Sequence, residues 1–130
     1  MFNGGGIPET YKRGEGELMQ VTFTEAGPAV TAHISGSIDG LTAESLQAAL
    51  SSELQKGHYR IVADFAGVDY TSSAGLRVIL ATVKEARRNG GDFRLAAVRP
   101  AVMRVLEMSG FGGIVKIYPD AEAALAAFAA

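Results

Sequence analysis

The 130-residue chain contains no cysteine, which excludes disulfide bonds, catalytic thiols and thiolate metal sites. It also has no excess of basic residues, because 12 lysines and arginines stand against 14 aspartates and glutamates, giving a net charge of −2. Proteins that bind polyanions normally carry a basic excess. Nucleic acid is therefore a disfavoured partner for this chain.

Long hydrophobic runs are absent as well. No stretch reaches the roughly 18 apolar residues that a membrane-spanning helix needs, and residues 1–16 lack the apolar centre of a secretory signal. We therefore expect a cytoplasmic protein without membrane insertion. The rest of the composition, 48% hydrophobic and 20% charged, is typical of a folded domain, and a chain of this length suits one domain.

The N-terminal segment is rich in glycine and differs from the rest of the chain. Three consecutive glycines are followed by Pro8, and charged residues are scattered between further glycines. Such a segment cannot bury enough apolar surface to offset the entropy that it loses on ordering. We expect residues 1–16 to form a flexible tail and residues 17–130 to form the folded domain.

Periodicity in the rest of the chain changes repeatedly between that of strands and that of helices. Residues 18–23 and 29–34 have strand composition and flank a Gly-Pro turn, which predicts an antiparallel hairpin. Beyond them, helical spacing alternates with short apolar runs, which predicts an α/β fold: a mixed sheet of about five strands, including the hairpin, and about four helices. The predicted helices cover 41–54, 73–89, 100–109 and the residues after 120, and the further strands cover 59–65, 93–98 and 114–118.

Motifs for common enzyme chemistry are missing. The chain has no phosphate-binding G-x-x-x-x-G-K-[ST] loop, no dinucleotide fingerprint and no H-E-x-x-H zinc motif. Its two histidines, His33 and His58, lie far apart in the sequence, and we expect neither to bind a metal. Ser72 and Ser73 stand at a strand-to-helix turn, as a hydrolase nucleophile does, but the G-x-S-x-G motif is not there. We therefore expect no catalytic activity, no cofactor and no metal.

The two serines also have a structural explanation. Either Ser72 or Ser73 would cap the helix that begins here, because a serine oxygen accepts from the free N–H groups of a first turn. An exposed hydroxyl at the positive end of a helix is also a favourable place for a phosphate. The capping role and a phosphate-acceptor role are compatible, and the residue pattern alone leaves both open.

Residues 64–80, with the sequence DFAGVDYTSSAGLRVIL, resemble the signature of STAS-domain anti-sigma factor antagonists. Two further segments support the resemblance: SGSID followed by TAE within residues 35–44, and RPAV followed by LEMSGF within residues 99–111. The resemblance extends over residues 18–128 and matches the predicted order of strands and helices. It implies a STAS fold for this chain.

The resemblance implies a phosphorylation-controlled switch that is not an enzyme. Unphosphorylated, such a protein binds an anti-sigma factor that is also a serine kinase of the histidine-kinase-like ATPase fold. Phosphorylation on serine releases it, and a serine phosphatase resets it. An alternative within the same family is a constitutive scaffold subunit of a transporter or signalling complex, which binds its partners without phosphorylation.

In the family, the phosphate acceptor is the serine or threonine directly before a glycine, and in this chain Ala74 occupies that position. We expect phosphorylation on Ser73, with Ser72 as the alternative, and the departure at Ala74 slightly favours the scaffold function. The partner contacts that the resemblance implies are Asp39, Tyr70, Thr71, Ala74, Gly75 and Arg77. Three of these residues also have a structural alternative: Asp39 can be a helix N-cap, Tyr70 part of the core and Arg77 a solvated helix residue.

Overall fold

A computed structural model describes the backbone of residues 9–13 and 17–129 and the side chains of residues 19–129. Within these residues, six strands and four helices follow one another. The strands are β1 (Glu9–Arg13), β2 (Glu17–Ala26), β3 (Ala29–Ile38), β4 (Arg60–Thr71), β5 (Asp92–Ala96) and β6 (Ile117–Tyr118). The helices are α1 (Thr42–Gln55), α2 (Ser73–Arg88), α3 (Pro100–Met108) and α4 (Ala121–Ala129), with a 3₁₀ turn at Phe111–Gly113.

The strands form one mixed sheet in the order of the sequence, β1 to β6. Strands β1, β2 and β3 are antiparallel neighbours, whereas β3, β4, β5 and β6 run parallel. The predicted hairpin is confirmed, since β2 and β3 pair from Met19↔Gly36 to Ala26↔Ala29. Gly27 has a φ of +63°, a conformation that favours glycine, at the turn between them. The predicted mixed α/β fold with four helices is therefore confirmed.

Strand β1 lies within the segment that we expected to be a tail. It pairs with β2 from Glu9↔Val21 to Arg13↔Glu17, so the sheet has six strands rather than about five. Backbone hydrogen bonds hold this five-residue strand in the sheet. Its Thr-Tyr-Lys pattern is too short, among the neighbouring glycines, to be recognised as a strand from periodicity. Residues 1–8 and 14–16 lie outside the described residues, and their flexibility stays a prediction.

Strands β3 and β4 extend beyond their predicted ends, to Ile38 and Thr71. Their added residues mix serine, glycine and aspartate with the buried Ile38 and Val68, and two register shifts interrupt the pairing, so no regular alternation marks them. Gly67 is needed in this stretch because a Cβ there would lie 2.7 Å from the Cβ of Ser35. Strand β6 is shorter than predicted, because the 3₁₀ turn and a loop occupy the residues before Ile117.

The main core lies on one face of the sheet, where buried residues of α1, α2 and α3 pack together with those of the strands. Strand residues alternate between faces, so Val62, between the core residues Ile61 and Ala63, points to the other side. There Val62 and Ala96 pack against Ala124 of α4. The stripe predicted on α2 faces the main core: Leu76, Ile79, Val83 and Ala86 are buried in it, and Leu80 is half-buried against it.

Replacing a residue of this stripe should destabilise the domain strongly. Ile79 is 1% exposed, so Ile79→Ala leaves a cavity and should lower the free energy of unfolding by about 2–5 kcal/mol. Urea denaturation measures this value. Lys84→Ala, at an exposed position of the same helix, is the control and should change stability by less than about 0.5 kcal/mol. Equal denaturation midpoints for the two variants would contradict the packing.

Candidate functional site

Ser72 is the N-cap of α2 and is held by its neighbours. Its backbone is extended, with φ −92° and ψ 178°, and its Oγ accepts a hydrogen bond from the Ala74 N–H at 3.2 Å. Its own N–H donates to the Ile38 carbonyl at 2.8 Å, and its carbonyl accepts from the Leu76 N–H at 3.2 Å. The capping role that the sequence left open between two serines therefore belongs to Ser72, and this residue is half-buried.

Ser73 is the first residue of α2 and is exposed. In the part of the chain that the structure describes, its hydroxyl makes no hydrogen bond. The two adjacent serines are thus in different states. The Ser72 hydroxyl is occupied by the helix cap, whereas the Ser73 hydroxyl points into solvent at the start of the helix.

Asp39 caps helix α1 from the end of β3. Its Oδ1 accepts from the N–H groups of Leu41 at 2.9 Å and Thr42 at 3.0 Å, and its own N–H donates to Thr42 Oγ1 at 2.9 Å. This reciprocal arrangement is a capping box, with threonine in the place of the usual glutamate. Thr42 Oγ1 in turn donates to the Ser37 carbonyl at 2.8 Å. Asp39 therefore has the N-cap role that the sequence analysis gave as one of its alternatives.

The parallel pairing of β3 with β4 brings these two caps to one edge of the sheet. Ile38 pairs with Thr71, so Asp39 and Ser72 directly follow neighbouring strands. Ser37 Oγ also donates to Asp69 Oδ1 at 3.0 Å across the same strand ends. We call this surface, residues 37–41 and 69–77, the serine edge.

The remaining predicted contact residues divide into exposed and buried ones. Tyr70 is 51% exposed, Arg77 is exposed, and Ala74 is half-buried. Thr71 is 3% exposed, and its Oγ1 donates to the Ser72 carbonyl at 3.2 Å. Gly75 is buried below the start of α2. Thr71 and Gly75 face the interior of the domain, so the accessible residues of the predicted contact set are Tyr70, Ala74 and Arg77; the contacts themselves stay a prediction.

Gly75 lets α2 begin close to the strand ends. A Cβ on Gly75 would overlap Thr71 Oγ1 and would lie 2.8 Å from Ile38 Cγ2. Any larger residue here must push the helix start away from β3 and β4. The glycine that the family signature contains thus has a packing role in this chain.

Leu41 is a residue of the serine edge that the sequence analysis missed. It is 67% exposed, and the sequence analysis included it only as the first residue of the predicted helix 41–54. Its position outside the stripe of Leu46, Leu50 and Leu54 was the signal that could have separated it from the core. Leu41 and Tyr70 together present two large exposed side chains beside the serines, and such exposed apolar surface is typical of interaction sites.

A groove of about 520 Å³ separates α1 from α2 beside the serine edge. Opposite charges lie on its two walls, Glu44 in the first turn of α1 and Arg77 in the second turn of α2. The groove is lined by Gly40, Ala43, Glu44, Gln47, Ala48, Ala74, Arg77 and Val78.

Neither histidine is near enough to act on the two serines through a hydrogen bond. His33 bridges Thr24 Oγ1, at 3.0 Å, and Asp64 Oδ2, at 3.2 Å, while His58 Nδ1 contacts Glu53 Oε1 at 2.7 Å. The hydrolase arrangement considered from the sequence is therefore not assembled around Ser72 or Ser73. Among the side chains of residues 19–129, no group of three His, Asp or Glu is arranged to hold a metal. In the described backbone, residues 9–13 and 17–129, no helix has the length and apolar character needed to cross a bilayer.

Comparison with known proteins gives one consistent family. The STAS domain profile matches residues 20–124. BtrV of Bordetella bronchiseptica, a protein provisionally named an anti-sigma factor antagonist, is 38% identical to this chain over 110 residues. That match covers 85% of this chain and 95% of BtrV.

Two solved structures share the fold. The crystal structure of an anti-sigma factor antagonist from Mycobacterium paratuberculosis superposes with a TM-score of 0.80 at 25% sequence identity, covering 86% of this chain and 95% of that one. The Bacillus cell fate determinant SpoIIAA, solved in its phosphorylated form, superposes with a TM-score of 0.62 at 21% identity, covering 79% and 95%.

The close approach at Gly75 predicts a large effect of a small substitution. Gly75→Ala should lower the free energy of unfolding by about 1–3 kcal/mol, because its methyl group would overlap Thr71. Gly40→Ala is the control on the same edge, since a Cβ there meets no atom within 4 Å, and it should be neutral or stabilise by up to about 1 kcal/mol. Urea denaturation compares the two variants. Equal stability would contradict the close approach, because it would show that a methyl group fits between Gly75 and Thr71.

Proposed function

The chain belongs to the STAS domain family of anti-sigma factor antagonists, and from the geometry of its serine edge we propose that it is a switch controlled by phosphorylation of Ser73. Unphosphorylated, it binds an anti-sigma factor that is also a serine kinase of the histidine-kinase-like ATPase fold. The kinase transfers the γ-phosphoryl group of ATP to Ser73 Oγ, leaving ADP, and the hydroxyl proton passes to the kinase. A serine phosphatase hydrolyses the phosphate and resets the switch in the cytoplasm.

The observation that carries this proposal is the difference between the two serines. A kinase needs a hydroxyl that it can reach, and the Ser73 side chain is exposed with an unoccupied hydroxyl. Phosphorylation of Ser72 would disrupt the hydrogen bond that caps α2, and such a cap contributes about 1 kcal/mol to stability. Ser73 is therefore the better acceptor, even though the family's usual position is Ala74 in this chain.

Phosphorylation at this position changes binding more than it changes folding. A phosphate adds about −1.5 to −2 charges, which the positive end of α2 tolerates, so the fold survives. A partner that covers Leu41 and Tyr70 would also cover Ser73 and would have to desolvate that charge. Affinity falls about tenfold for each 1.4 kcal/mol of binding free energy that is lost, so a loss of a few kcal/mol is enough to release the partner.

The relatives support this proposal in two ways. BtrV and the Mycobacterium paratuberculosis protein are named anti-sigma factor antagonists, which makes an anti-sigma factor the expected partner. SpoIIAA has been solved in a phosphorylated form, so a domain with this fold carries a phosphate without losing its architecture. The proposed role is regulatory, and the chain itself catalyses no step.

One observation favours a second function. Ala74 stands where the family usually has its phosphate acceptor. A domain without an acceptor would bind its partner constitutively, as a scaffold subunit of a transporter or signalling complex. The two functions differ in whether the cognate kinase and ATP modify the chain.

Ser73 variants test the switch. Ser73→Asp should weaken binding of the unphosphorylated-state partner at least tenfold, whereas Ser73→Ala should bind and should resist phosphorylation. Both should leave the free energy of unfolding within about 0.5 kcal/mol of the wild type. Binding is measured by calorimetry, and phosphorylation is mapped by mass spectrometry after incubation with the cognate kinase and ATP.

The control variant is Ser52→Asp, which adds the same charge at an exposed position near the far end of α1. It should bind like the wild type. If phosphate is found on Ser72 alone, the acceptor is Ser72 and the assignment to Ser73 is wrong. Absence of phosphate from both serines, with an active kinase present, would favour the scaffold function instead.

Asp39 variants separate its cap role from a partner contact. Asp39→Asn keeps an oxygen for the N–H groups of Leu41 and Thr42 and should keep most of the stability, whereas Asp39→Ala should lose about 0.5–2 kcal/mol. If the carboxylate also contacts the partner, Asp39→Asn should weaken binding while the fold remains stable. Unchanged affinity in the asparagine variant would limit Asp39 to capping α1.

A further inference from the structure

Arg77 occupies a place in α2 that helix stability does not explain. Among the side chains of residues 19–129 it has no ion-pair partner, whereas Arg87 and Arg88 at the other end of α2 pair with Asp92 and Glu85. The first turn of α2 contains no acidic residue. Arg77 lies in the second turn of α2, where the effect of the helix end on a charge has largely fallen off, so neither an ion pair nor the helix dipole accounts for a cation at this position.

Arg77 lies one helical turn after Ser73. Residues at positions i and i+4 lie on one face of a helix, with about 5–6 Å between their Cβ atoms, and both of these side chains are exposed. A guanidinium group forms short, often bidentate hydrogen bonds with phosphate oxygens. Ser72 stands five residues before Arg77 and outside the helix, so its side chain does not share this face.

We propose that Arg77 holds the phosphate of phosphorylated Ser73 in an ion pair along the first turns of α2. This inference rests on the proposed function and adds a positioning residue to it. Phosphorylation would then change the serine edge twice. It adds negative charge at Ser73. It also engages the Arg77 guanidinium, which lines the groove opposite Glu44 and would then no longer be available to a partner.

The test uses protein with phosphoserine inserted at position 73 during synthesis by an expanded genetic code, so that no kinase is needed. A ³¹P NMR titration then measures the second pKa of the phosphate. We expect this pKa to be lower by about half a pH unit with Arg77 than in Arg77→Gln, because a nearby cation favours the dianion. Arg77→Lys, which keeps the charge without the planar fork, should lie between the two.

Thermal melting gives a second readout on the same proteins. Phosphoserine at position 73 should raise the melting temperature by about 2 °C in the wild type, and Arg77→Gln should abolish most of that rise. Arg104→Gln removes an exposed arginine from α3 and is the matched control, which should change neither the pKa nor the rise. Phosphoserine at position 72 should show no dependence on Arg77.

Equal phosphate pKa values and equal melting shifts in the wild type and Arg77→Gln would overturn the ion pair. That result would leave the proposed function intact, since kinase mapping and partner release at Ser73 do not need Arg77. Conversely, if the kinase fails to modify Ser73, the proposed function fails while the inserted phosphoserine still reports on Arg77.

Discussion

One backbone hydrogen bond, from the Ser72 N–H to the Ile38 carbonyl, joins the start of α2 to the end of β3. Asp39 follows Ile38 directly and caps α1, so the same junction fixes the starts of two helices relative to each other. Thr71 and Gly75 fill the space beneath it, where a single added methyl group would overlap its neighbours. The geometry of the serine edge depends on this junction.

The junction gives two adjacent serines different environments. The Ser72 hydroxyl accepts a hydrogen bond from the first turn of α2, whereas Ser73, the first residue of that helix, is exposed to solvent. Exposed Leu41 and Tyr70 beside it supply apolar surface that a partner can bury. Under the proposed function, a charge added at Ser73 acts on a bound partner, while the domain core lies behind a helix start that tolerates negative charge.

Much of this arrangement was predictable from the sequence, because helical stripes such as that of Ile79 and the hairpin around Gly27 follow simple periodicities. Strand β1 and the irregular ends of β3 and β4 were not, since pairing of backbone groups leaves little trace in side-chain pattern. The exposure of Leu41 and the burial of Thr71 depend on where the strands end. The division of roles between the two serines required the atomic positions of the helix cap.

Hydrogen–deuterium exchange of the chain with and without the proposed kinase partner tests most directly whether the serine edge is the switching surface. We predict that the partner slows exchange in residues 37–41 and 69–77 of the unphosphorylated protein, and that this protection disappears when Ser73 carries phosphate while the central strands remain protected. Protection confined to other surfaces, or protection of the serine edge that persists after phosphorylation, would contradict the account.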